Sequence, residues 1–300
     1  MVLRVPAIGS LGLISTLAAC AIPESMGVAR GPSLEAETVL VAEGAFLMGS
    51  TLDERAVAVE IDYASLGRAT PEISRWVKQE FRQTEVNLDA FLIMRTPVTQ
   101  RDYLRFMRDT GAPEPYVDAA TWSRQSLGLT YAEVQPFLWF RGVPKPDRAA
   151  HPTVLIEHGQ AADYCAWWGK QHGTSGALPT EAQWEKAARG AEGAAYPWGR
   201  NFDPNLLNGA EAGIGDTLPV GSYSDAESPY GAQDMAGNVF EWTQTAMDDG
   251  TYVVKGGAFS TTGALARPAA RHGRSPNLRH VIIGFRCVAP APKKRSKARG

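Results

Sequence analysis

The chain has 300 residues, 44% of them hydrophobic and 21% charged, with 30 Gly and 20 Pro. That composition excludes a disordered, collagen-like or coiled-coil chain and leaves one large or two medium globular domains. A net charge of -2 excludes a global electrostatic footprint for nucleic acid, although Lys293, Lys294, Arg295, Lys297 and Arg299 make the tail basic and leave the body acidic.

Residues 1–20 carry one positive charge, Arg4, then an apolar stretch through Leu11, Leu13, Ile14 and Leu17. The stretch is short for a membrane span and reads as a secretory signal. It ends Leu17-Ala18-Ala19-Cys20, which resembles the bacterial lipobox. That resemblance implies a lipidated Cys20 as the first mature residue, and Ala21 after it favours the outer membrane. Residues 21–38 read as a tether. Residues 39–42 and 45–48 flank Glu43-Gly44 and predict a hairpin. Residues 53–82 are polar, with a helix expected over 73–81. Residues 86–94 predict one strand. Thr99 is placed to cap a helix through Tyr103, Phe106 and Met107 that stops at Gly111. Residues 112–150 read as irregular. Ala161, Tyr164, Cys165 and Trp168 stand at i, i+3, i+4, i+7 and predict a helix ending at Gly169. Thr180 and Gln183 form a capping box for the next helix. Short strands are expected over 252–255 and 284–288.

The core-forming positions run from 39 to 288, so the chain divides into a signal (1–19), a tether after Cys20 (20–38), one domain (39–290) and a basic tail (291–300). Of three cysteines, Cys20, Cys165 and Cys287, lipidation of the first leaves a pair. An oxidising compartment permits those two to form a disulfide or to stand as separate buried thiols.

Several segments occur in an order that resembles the formylglycine-generating, or sulfatase-modifying-factor, family. They include Gly44-Ala-Phe-Leu-Met-Gly49, Thr96-Pro-Val-Thr99, His151-Pro-Thr-Val154, Leu178-Pro-Thr-Glu-Ala-Gln-Trp-Glu185, Tyr196-Pro-Trp-Gly199, Met235-Ala-Gly-Asn-Val-Phe-Glu-Trp242, Lys255-Gly-Gly257 and Gly284-Phe-Arg-Cys287. The resemblance implies an α+β, C-type-lectin-like fold, low in regular secondary structure, with Cys165 and Cys287 as a structural disulfide. It implies structural Ca²⁺ held by the side chains of Asp234 and Glu241 and the carbonyls of Gly237 and Val239, all hard oxygen ligands. A second calcium site would fall at Asn208 and Asp216.

The family's oxygen-activating members bind copper through two cysteines shortly after the Gly-Gly that corresponds to Gly256-Gly257. Here that stretch offers Ser260, Thr261, Thr262, Ala264 and Ala266 and contains no thiol. Hydroxyls and methyls cannot replace two thiolates on soft Cu(I), so oxidation of cysteine to formylglycine by that mechanism is not expected. The fold hosts other activities, and two readings follow. One is a calcium-stabilised envelope protein that binds a peptide, glycan or small molecule in the family's groove and faces the periplasm from its lipid anchor. The other is an oxidoreductase with iron or copper held differently, for which His272, His280, Arg267 and Arg271 are the candidates. None of the five histidines (His151, His158, His172, His272, His280) stands at i, i+4 from another. Arg267, Arg271, Arg274 and Arg279 recur in the segment facing the groove and suit a carboxylate or phosphate.

Overall fold

The first and last strands of the domain flank a common partner. In the computed structural model, which describes residues 32–68, 71–125 and 129–292, the elements in chain order are α1 (Leu34–Glu37), β1 (Thr38–Val41), β2 (Gly44–Met48), α2 (Leu52–Leu66), α3 (Pro71–Val77), β3 (Thr84–Leu88), β4 (Phe91–Met94), α4 (Gln100–Thr110), α5 (Ala119–Gln125), α6 (Tyr131–Val134), α7 (His158–Gln171), α8 (Glu181–Arg189), β5 (Phe240–Ala246), β6 (Tyr252–Lys255), β7 (His272–Arg274), β8 (Ile283–Gly284) and β9 (Val288–Pro290). The first sheet has the order β1-β4-β9, all antiparallel. β4 is buried along its whole length, as a continuous Phe-Leu-Ile-Met run requires. The second sheet, β7-β6-β5-β8, is mixed, with β5 and β8 parallel. β2 and β3 form a separate two-stranded ribbon. Residues from Ser33 onward form one compact unit, and no helix of the described residues is long and apolar enough to cross a membrane.

Several expectations are corrected. The hairpin over 39–48 does not form: β1 pairs with β4 and β2 with β3. The link between them instead wraps the Lys186 ammonium, which donates to the carbonyls of Ala42 at 2.8 Å and Gly44 at 2.7 Å. The strand over 86–94 is two strands broken at Asp89-Ala90, because its halves serve different sheets. The strand over 284–288 likewise divides into β8 and β9. Residues 53–82 contain a 15-residue helix, α2, opened by a capping box between Thr51 and Glu54. The tether ends before 38, since Ser33 caps α1 and Glu37 accepts the Trp168 indole N–H at 2.7 Å. Residues 1–31 and 293–300, with the signal, Cys20 and most of the basic tail, lie outside the described residues.

The capping sites at Thr99 and Thr180 form, each hydroxyl accepting a first-turn N–H. α7 continues to Gln171 rather than stopping at Gly169. Gly169 is inside the helix because a Cβ there would lie 2.1 Å from the Gly176 nitrogen, so this glycine permits close approach of the returning chain. The main core packs Tyr103, Phe106, Tyr164, Trp168 and Phe285 beneath these helices. Beside it, Cys165 of α7 is bonded to Cys287, with sulfurs 2.00 Å apart and Cα atoms 5.4 Å apart.

The two cysteines are 122 residues apart, so the bridge closes a long loop in the unfolded chain. Replacing both by Ala is expected to cost about 2–5 kcal/mol, measured by urea denaturation of the variant against the oxidised protein.

Candidate functional site

The candidate site begins where β6 ends. Gly256 and Gly257 both have positive φ, 96° and 72°, and turn the chain inward. A Cβ on Gly257 would meet the Ala266 Cα at 2.9 Å, so the loop folds tightly on itself. Residues 262–270 are all buried. Their cover is the α2–α3 pair: Ala58, Ile73 and Val77 pack with Ala264 and Leu265 in one cluster. Hydrogen bonds tie the two layers. The Thr262 hydroxyl donates to Asp62 at 2.8 Å. Glu211 accepts from the Ser65 hydroxyl at 2.6 Å and the Gly263 N–H at 2.8 Å. The segment after Gly256-Gly257 is therefore alkyl and hydroxyl in character and roofed by two helices.

The candidate arginines are mostly neutralised. Arg267 grips Glu80 with both Nη atoms. Arg271 grips Glu181 through Nε at 2.8 Å and Nη2 at 2.9 Å, with its guanidinium 4.2 Å from the Phe81 ring centroid. Arg279 pairs with Glu157 at 3.0 Å. Lys255, fully buried, lies 3.0 Å from Glu185 and 3.5 Å from Glu181, and Arg189 joins Glu185 to Glu54. Buried charges need such partners. Glu80, Glu181, Glu185 and Glu54 went unrecognised in the sequence. The one available signal was the position of two of them, Glu181 and Glu185, four residues apart on α8.

The histidines do not gather. His272 is buried between Trp76 and Phe240, each ring centroid 5.2 Å away. Neither of its ring nitrogens has a partner. Burial, then the charges of Arg274, Lys255, Arg267 and Arg271, hold its pKa well below the ordinary value. The His280 ring is tilted against Trp122, with centroids 5.3 Å apart, and its Nδ1 accepts the Ile282 N–H at 3.1 Å. Burial, with Arg274 second, lowers its pKa to about 4. Both are neutral at pH 7. Among the described residues, no group of three His, Cys, Asp or Glu side chains could hold a metal. Arg267 and Arg271 are thus ion-paired, and His272 and His280 lie against aromatic rings.

The implied calcium ligands divide in two. The Glu241 carboxylate is fully buried and already balanced by Arg286, at 2.7 Å to each oxygen, with the Trp184 indole N–H at 2.8 Å. Asp216 is held by Arg148, so its carboxylate already has a counter-charge. Asn208, beside it, keeps a buried Oδ1 without a partner. Asp234 is different: it has positive φ, 55°, and its Oδ2 accepts the Gly221 N–H at 2.6 Å. No cation lies within ion-pair distance of it among the described residues. Burial chiefly raises its pKa to about 6, against the lowering pull of the Gly221 N–H and Arg286. A buried carboxylate lacking a counter-charge fits a hard cation. The Gly237 carbonyl beside it accepts the Val239 N–H at 2.8 Å. Asp234 would hold the ion and Glu241 would serve Arg286.

A family model described as the sulfatase-modifying factor enzyme 1-like domain matches residues 26–291. The inactive C-alpha-formylglycine-generating enzyme 2 of Bos taurus is 31% identical over 247 residues, covering 69% of this chain and 79% of that protein. The hercynine oxygenase of Mycobacterium tuberculosis is 31% identical over 242 residues, covering 67% of this chain and 53% of the relative. Among solved structures, PvdO from Pseudomonas aeruginosa superposes with a TM-score of 0.59 at 22% identity, over 85% of this chain and 94% of that one. CarF gives 0.53 at 21%, over 85% and 98%. These two likenesses concern the fold.

The Asp234 carboxyl titrates near 6 folded and near its ordinary 3.8 unfolded. Its charge therefore lowers stability above pH 6, and the penalty vanishes below 3.8. Asp234→Asn, which keeps the Gly221 bond, is expected to raise stability at pH 7.5 by about 1–3 kcal/mol and at pH 4 by little. Added Ca²⁺ should stabilise the native protein at pH 7.5 and leave this variant unchanged. Urea denaturation at both pH values, with and without Ca²⁺, checks each arm.

Proposed function

The chain belongs to the sulfatase-modifying factor family, and from that premise we propose that it is a non-catalytic member, a binding or assembly module of the cell envelope. One observation carries this reading. The segment after Gly256-Gly257 holds no thiol and is sealed beneath α2 and α3, with Thr262 bonded to Asp62 and Arg267 to Glu80. A catalytic centre must admit its substrate to the reacting atoms. Here the corresponding atoms are methyl groups and hydroxyls in a packed core. Three of the four arginines of this segment, Arg267, Arg271 and Arg279, are already occupied by carboxylates and serve stability instead.

Two features of the reading lie beyond that core. The Asp234 loop gives calcium a structural place, where it would supply the missing positive charge. The Leu17-Ala18-Ala19-Cys20 stretch gives the domain a lipid anchor, which places it on a membrane surface, facing the periplasm from the outer membrane. Dual acylation suffices for stable attachment without a spanning helix. A domain fixed at a surface, with an irregular loop-rich face, suits recognition of a peptide, glycan or small molecule.

Two measurements test the reading. The full chain, incubated with Cu(I) or Fe(II) and desalted, is expected to retain neither metal at stoichiometry by elemental mass spectrometry and to consume no oxygen with a thiol peptide; a metal-loaded form that turns over oxygen overturns it. Cys20→Ser is expected to move the protein from the membrane to the soluble fraction on cell fractionation. An unchanged membrane fraction rejects the lipid anchor.

A further inference from the structure

Seven buried or half-buried basic side chains of this domain have carboxylate partners: Arg148, Arg189, Lys255, Arg267, Arg271, Arg279 and Arg286. Arg274, on β7, has none. Its one hydrogen bond runs from Nη1 to the Gly273 carbonyl at 2.9 Å. Among the described residues, its Nε and Nη2 have no acceptor. Burial, and then the charge of Arg75, hold its pKa below the ordinary arginine value. Arg75, on α3, is exposed and likewise has no ion-pair partner. His272 and His280, both neutral at pH 7, also sense the charge of Arg274. Among the described residues, no carboxylate lies within ion-pair distance of either guanidinium.

The physical cost of that arrangement is plain. A half-buried cation without a partner loses hydration and gains no compensating attraction. A second cation beside it adds repulsion. Trp76 of α3 packs on His272 of β7 with ring centroids 5.2 Å apart, and this contact brings the segments carrying exposed Arg75 and half-buried Arg274 to one junction. The half-buried one keeps a free Nε and Nη2, the edge of the planar fork that grips a carboxylate or phosphate with two parallel bonds. Its cross-strand neighbour in the sheet is Tyr252, on which His158 stacks at 3.7 Å.

We infer that Arg274 and Arg75 form an anion-binding site where α3 meets β7, which takes the carboxylate or phosphate group of a ligand. The inference deepens the reading of the domain as a binding module and rests on it. Arg274 supplies the bidentate grip and Arg75 the long-range attraction at the entrance. The site is distinct from residues 262–270, which stay sealed.

The test uses the full chain at low ionic strength, with inorganic phosphate and succinate as separate probes and thermal unfolding and calorimetry as readouts. Either or both anions should raise the melting temperature saturably and bind with measurable heat. Binding to phosphate alone would mark the natural group as a phosphate, and to succinate alone as a carboxylate. Arg274→Met should abolish both effects. Without anion, this variant should melt at or above the native temperature, because an unpaired cation has been removed. Arg274→Lys keeps the charge but not the fork and should weaken binding about tenfold, or about 1.4 kcal/mol. Arg75→Met should weaken it and reduce its salt dependence. Absence of any anion effect on the native chain overturns the site, as does an equal effect in Arg274→Met. A large fall in anion-free stability of Arg274→Met also overturns it, since Arg274 would then be a structural cation. Oxygen turnover by a metal-loaded chain would overturn the binding-module reading while leaving the anion result to stand by itself.

Discussion

The guanidinium of Arg286 uses all five of its N–H donors, and the two main sheets meet around it. Nε and one Nη2 bond go to Glu241 on β5, two bonds from Nη1 go to the Met94 and Arg95 carbonyls at the end of β4, and the last goes to the Gln233 carbonyl. Both side chains of the pair are fully buried. In that setting removal of one partner strands the other, at a cost of about 3–5 kcal/mol. The pair thus fixes the first sheet against the second, and α8 joins through the Trp184 indole on the same carboxylate. With that junction in place, the chain between β5 and β9 can afford little regular structure.

The same scaffold logic explains the roofed segment. Residues 258–271 leave the sheet at two glycines and return to it at β7, so their path is set by the frame and not by local propensity. α2 and α3 then cover that path, and Glu80, beyond α3, reaches down to Arg267. The result is a domain of the sulfatase-modifying factor family whose segment after Gly256-Gly257 is part of the core. Burial of Ala58, Ile73, Val77, Ala264 and Leu265 and the pairing of Arg267 and Arg271 are contributions to stability drawn from positions that could have met a substrate.

Much of this was legible in the sequence wherever the signal was local. Thr99 and Thr180 precede their helices with the hydroxyl that a first-turn N–H needs, and the ordered Gly, Trp and Asn segments carried the fold. α2 was missed although Thr51 and Glu54 spelled its start. Its apolar residues lie on two faces, Ala58 inward and Leu52, Tyr63 and Leu66 outward, so no single periodic stripe stood out. The strand breaks at Asp89-Ala90 and between β8 and β9 were hidden because an apolar run does not say how many sheets it serves. The partners of Arg267 and Arg271 lie 187 and 90 residues away. Only three dimensions could show which arginine lacked one.

The order β1-β4-β9 has a mechanical meaning. β1 and β9 run parallel to each other on either side of β4, with Thr38 opposite Met94 and Pro290 opposite Phe91. Tension applied to the chain before Thr38 and beyond Pro290 therefore loads these strands lengthwise, in shear, so that many backbone hydrogen bonds resist at once instead of opening one after another. If the C-terminal strand does slip, extension stops at Cys287, where the bond to Cys165 passes the load into α7 and spares the rest of the domain. A domain tethered at one end and pulled at the other would yield a short, bounded length of chain before its interior bore any force.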